Sequence, residues 1–246
     1  MQAHSLTMRT MWSHGDGMST LKAAASLVFA CMTGCASQVE VDAEFPTPLV
    51  EALPVTVGVV LDEALTQYEH FEEIPDQITW TIGLGDANTQ MLEQLFDTLF
   101  ARTVRVDAIP ATNATVPLDG IIRPELERFE FEVPVRGRDN FAEVWMQYQL
   151  RLYEPDGDLV IEWPVSGYGK SEIRRSKREE SLNQAAIVAM REVGAAIATQ
   201  FSTQPQVAYW LAERQNLLQS AQNGLFISDD DSSLISPDTA AGTNDD

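Results

Sequence analysis

Two cysteines and three histidines are all the thiol and imidazole that this 246-residue sequence offers. Both cysteines, Cys31 and Cys35, fall at the end of one short apolar run, and His4 and His14 precede it. Beyond residue 35 there is thus no material for a disulfide framework, a Cys-based zinc site or a Cys–His nucleophile. Basic residues are scarce as well, with 16 Lys and Arg against 37 Asp and Glu and a net charge of −21. Such a surface repels polyanions, which excludes DNA and RNA as partners. No Gly-x-Ser-x-Gly elbow and no His-Glu-x-x-His occurs. Gly169-Lys170-Ser171 has the end of a phosphate-binding loop, but Pro164 stands where its first Gly belongs; Gly83-x-Gly85 meets Asn88 in place of a third Gly.

What the chain does carry begins at residues 18–35, MSTLKAAASLVFACMTGC. Lys22 supplies a positive start and residues 23–33 an apolar run too short to span a bilayer, which together read as a cleaved export signal. Met32-Thr33-Gly34-Cys35 resembles the lipobox of bacterial lipoproteins, and the resemblance implies that Cys35 becomes the first mature residue, carrying diacylglycerol and an N-acyl chain. Val28-Phe29-Ala30-Cys31 fits less well because Phe29 is bulky where a small residue belongs. Residues 1–17 do not suit a signal start, so Met18 is read as the initiator and residues 1–34 as the signal segment. By the sorting rule that goes with the lipoprotein resemblance, the absence of Asp beside the cysteine, where Ala36-Ser37 stand, implies the outer membrane, facing the periplasm.

Removing Arg9, Lys22 and Asp16 leaves 14 basic and 36 acidic residues in the 212 counted from Cys35, a net charge of −22. His70 is then the only histidine, in a polar, aromatic-rich segment that reads as a solvent-facing loop. Residues 35–52 read as the lipidated cysteine and a flexible tether, 53–224 as a single α+β domain and 225–246 as an acidic disordered tail. Inside the domain, strands are expected at 54–61, 78–82, 103–106, 121–133 with a bulge, 141–153 and 159–165. Helices are expected at 86–100, capped by Asp86, at 176–201, and at 206–222 closed by Gly224. Strands grouped between helices favour an α+β fold, mainly antiparallel, with two or three helices on one face of the sheet.

The lipobox, the opening run PVTVGVVL, the meander ending in LVIEWPVSGYGKS and the Ala-rich LNQAAIVAMREVGAAIATQF together resemble YajG-type outer-membrane lipoproteins. More distantly they resemble the ring-forming CsgG and PelC kind, although no pair of lipid-facing strands stands out. Two groups qualify as contact sites. Lys170, Arg174, Arg175, Lys177 and Arg178 put five cations into nine residues at the entry to the long helix, suited to an anionic partner. Phe141, Trp145 and Tyr153 place aromatics on the polar face of one strand, as an interface would. The expectation is a non-enzymatic, membrane-anchored adaptor or assembly subunit with a protein partner or self-assembly, and with no metal and no cofactor beyond the lipid. The alternatives are an accessory of lipid or polysaccharide transport and a cell-wall glycan hydrolase using one of the many carboxylate pairs.

Overall fold

The longest strands explain the architecture. In the computed structural model, which describes residues 36–74, 78–112, 114–134, 140–174 and 177–228, β7 (Phe141–Tyr153) buries Ala142, Val144, Met146, Tyr148, Leu150 and Leu152 on one face. The period of two gives it one dry side and one that is wet except at the buried Gln149. It pairs antiparallel with β6 (Gly120–Glu132) and with β8 (Leu159–Glu172). Between β7 and β8 the chain turns at residues 154–158, where Gly157 takes φ 104° and donates its N–H to the Glu154 carbonyl. The register of β6 shifts between Leu126 and Arg128. This bulge changes the inward parity, so that Phe129 and Phe131 turn toward the core after Ile122 and Pro124 have done so.

The five-stranded sheet has the order β5-β2-β6-β7-β8, with β2 (Leu53–Val59) parallel to both β5 (Phe100–Arg105) and β6. Helices α2 (Gly85–Leu99) and α3 (Arg178–Gln200) lie on its buried face, preceded by the short α1 (Glu63–Thr66). Helix α2 buries Met91, Leu92, Leu95, Phe96 and Leu99, the stripe legible in the sequence. Its cap differs from expectation: Leu84 holds the N-cap position and Asp86 sits in the first turn, where its charge still suits the helix dipole. The Ala-rich α3 reaches β8 at backbone distance. A Cβ on Gly169 would lie 1.8 Å from the Ala185 carbonyl oxygen, and one on Gly167 would lie 2.2 Å from that of Ala189.

After the 3-10 turn Phe201–Thr203, α4 (Pro205–Ser228) closes the fold and passes through Gly224, which is therefore no C-cap. Trp210 docks α4 against Gly120, and Arg214 stacks on Trp210 while pairing with Glu154 and bonding the Asp119 carbonyl. The expected α+β class is observed, with a second sheet added to it.

That second sheet has the order β1-β4-β3 and corrects the reading of the N-terminus. Residues 36–45 are not a tether: β1 (Ala36–Glu40) pairs parallel with β4 (Thr79–Gly83), and Val39, Val41, Ala43 and Phe45 enter the main core. The loop expected around His70 is also a strand, β3 (Glu69–Glu73), antiparallel to β4. His70 is half-buried, its ring 5.1 Å from Phe129 and 5.7 Å from Phe131, with Nε2 3.2 Å from Glu72. Cys35 and residues 229–246 lie outside the described residues.

Candidate functional site

Helix α3 organises two different surfaces, one at each end. At its N-terminal end stands the basic cluster expected from the sequence. Strand β8 carries Lys170 to within 2.5 Å of Glu143 and places its ammonium 4.3 Å above the Phe141 ring. That hydrogen bond and the Lys170 charge hold the Glu143 carboxyl below the usual carboxylate range. Arg174 and Lys177 are exposed, Lys177 bridging to Glu180 at 2.6 Å, and Arg178 is half-buried in the first helical turn. Arg175 lies outside the described residues. Glu172, Glu180, Ser181 and Gln184 join Arg174 and Lys177 around an open, mainly polar recess. Ser37 of β1 reaches this end of the helix, its hydroxyl donating to Glu179 Oε1 at 2.8 Å.

The aromatic row is only partly as expected. Phe141 and Trp145 are 40% and 39% exposed, and their companion is Tyr168 of β8, 37% exposed and 5.1 Å from Trp145 between ring centres. Tyr153 does not belong to the row. It lies at the far end of β7 and packs against Val60, Val106 and Ile121. Tyr168 escaped detection because cross-strand pairing, which brings it opposite Trp145, is not written in either strand alone.

Toward the C-terminal end of α3 the chemistry inverts. Residues 45–50 cross the seam between α2 and α3 as a strap, enclosing an apolar groove of about 270 Å³. Met91 and Leu95 line it from α2, Met190 and Ala198 from α3, and Gly194 leaves it open, since a Cβ there would meet nothing nearer than Met91 Sδ at 4.0 Å. At its edges the strap is held by the core packing of Phe45 and Val50 and by polar bonds. Gln94 Nε2 donates to the Phe45 carbonyl and to Thr47 Oγ1, each at 2.9 Å, and Arg191 donates to the Glu44 carbonyl at 2.9 Å. Leu49 stands fully exposed at the groove edge. Nothing in the sequence marked this groove, which exists only where strap and helices meet.

No protein-family model matches this chain. No curated protein matches it either. Solved structures do. A Xanthomonas campestris protein of family DUF330 is similar over 69% of this chain and 99% of its own, at 14% identity and a TM-score of 0.43. A Caulobacter crescentus protein described as a lipoprotein is similar over 52% of this chain and 85% of its own, at 18% identity and a TM-score of 0.35. A minor lipoprotein of Acinetobacter baumannii is similar over 62% of this chain and 94% of its own, at 8% identity and a TM-score of 0.37. At those scores the likeness carries no argument about activity.

Among the described residues, no three His, Cys, Asp or Glu side chains gather as a metal site, and no helix is long and apolar enough to cross a membrane. Two carboxylates on the exposed sheet face are engaged with arginines: Glu125 bonds Arg151 at 2.5 Å and Arg123 at 3.1 Å, while Glu162 holds Arg151 at 3.0 Å. The buried polar pair of the core, Tyr148 hydroxyl donating to Asn88 Oδ1 at 2.5 Å with Asn88 donating to the Leu65 carbonyl, is sealed from solvent, and burial pushes the Tyr148 hydroxyl up. Helix α3 thus presents cations at one end and apolar surface toward the other.

Proposed function

We propose that this chain is a bacterial envelope lipoprotein, acylated on Cys35, held at the outer membrane facing the periplasm, and acting as a non-enzymatic adaptor or assembly subunit. The observation that carries the reading is the close of the apolar run: Lys22 and residues 23–33 have the make-up of an export signal, and Met32-Thr33-Gly34-Cys35 ends it in the pattern of a lipobox. The adaptor role rests on the contact surfaces just described, Arg174 and Lys177 at one end and the Phe141–Trp145–Tyr168 row beside them.

Mass spectrometry of the mature N-terminal peptide tests the anchor. The expected result is a diacylglyceryl, N-acylated Cys35, with Cys35→Ser protein lost from membrane fractions. A Cys35→Ser chain that still sediments with membranes overturns it. Density-gradient separation of the envelope tests the address, and cross-linking in whole envelopes followed by identification of the linked chains tests the adaptor role. One observation favours a second reading, an accessory of lipid transport: the groove under residues 45–50 is lined mostly by carbon. Native mass spectrometry of protein purified from membranes would then find a lipid besides the anchor, and Gly194→Trp would remove it.

A further inference from the structure

We propose that the molecule rests on its bilayer through the end formed by Ala36 and the start of α3, with Arg174, Lys177 and Arg178 against anionic lipid headgroups. The proposal depends on the acylation of Cys35 argued above. Its basis is the missing tether. Ala36 is already paired with Thr79 in the second sheet, and consecutive Cα atoms are only about 3.8 Å apart. An acylated residue 35 therefore brings the folded body directly onto the membrane surface, and whatever surrounds Ala36 must face it.

Ser37 identifies those surroundings, because its bond to Glu179 pins β1 to the first turn of α3. From there the chain runs along the helix: Glu44 meets Arg191, twelve residues and about 18 Å of helical rise further on. The strap and the apolar groove accordingly lie at the end away from the membrane.

Charge selects the same end. Residues 170–180 hold five cations (Lys170, Arg174, Arg175, Lys177, Arg178) and three acids (Glu172, Glu179, Glu180), a net of +2 in a chain of −21. Glu179 is bonded to Ser37, Glu180 to Lys177 and Lys170 to Glu143, while Arg174 projects to solvent. Within a Debye length of about 10 Å, anionic headgroups repel most of this surface and attract this patch. Lipid anchor and basic residues then act as two signals on one face, the combination that makes membrane attachment stable.

The acylated protein has no other thiol, so single cysteines can be placed and labelled with a fluorophore. Glu172→Cys reports the basic end and Leu49→Cys the groove end, in phosphatidylcholine/phosphatidylglycerol vesicles carrying a headgroup quencher. Quenching several-fold stronger at position 172 is expected, and the contrast should shrink when Arg174, Lys177 and Arg178 are all changed to Ala. Equal quenching at the two positions, or stronger quenching at 49, overturns the orientation. A contrast unchanged by the triple substitution overturns the headgroup contact. If position 172 is shielded from a soluble thiol reagent in whole envelopes but not in vesicles, the patch belongs to a protein partner and the proposal fails. An unacylated mature N-terminus would instead refute the anchor itself, before any vesicle is made.

Discussion

Helix α3 has two flanks that treat glycine in opposite ways. Against β8, Gly167 and Gly169 are needed because the Ala189 and Ala185 carbonyls occupy the space a side chain would take. On the groove flank, Gly194 faces a gap that a methyl group would enter without contact closer than 4.0 Å. One flank is packed to backbone distance, so its sequence is fixed by geometry; the other leaves room for a side chain that Gly194 does not supply.

The same substitution on the two flanks breaks the comparison most directly. Gly169→Ala should destabilise by about 3 kcal/mol or more, since helix and sheet must part, and urea midpoints will show it. Gly194→Ala should stabilise by about 1 kcal/mol through helix propensity. A loss of stability there would mean that the groove flank is as tight as the sheet flank. Gln94→Ala should lose about 0.5–1 kcal/mol, and limited proteolysis should find residues 46–50 cut sooner, because two of the bonds holding the strap are gone.

The smallest effect concerns pH. The Glu143 carboxyl is held below its unfolded value by Lys170, so its contribution to stability is present above the unfolded carboxylate pKa and is lost as the pH falls through the lower folded one. Glu143→Gln should flatten the decline in stability below about pH 4.5 relative to the unchanged chain, followed by thermal melts across the acid range. An identical acid profile would show that the pair is screened by solvent and contributes nothing measurable.

Much of the larger sheet was legible. Strand β7 matches its expected span of 141–153 because one face is dry and the other mostly wet, and the shift from Leu126 to Phe129 and Phe131 announced the bulge that β6 carries between Leu126 and Arg128. The smaller sheet was not. Val39, Val41, Ala43 and Phe45 do alternate, but acids fill every gap between them and Pro46 and Pro48 follow, so the stretch read as solvated. In β3, Glu69-His70-Phe71-Glu72-Glu73 places its half-buried residues at 70 and 72, and the exposed Phe71 obscures the period. The basic cluster was visible as charge density along the chain. The groove was invisible, since segments 45–50, 91–95 and 190–199 meet only after folding.

The bond from Ser37 to Glu179 spans 142 positions. Strand β1 is the first part of the described chain to leave any ribosome or export channel, yet its packing partner is among the last. Until α3 follows, residues 37–45 can pair with β4 but lack the helix that covers them, and loop closure over that length makes their docking on α3 a late step. Strand β1 and the segment after it are thus open to premature pairing with another copy, and the charges at Glu40, Asp42 and Glu44 are where a folding chain would be protected from that fate.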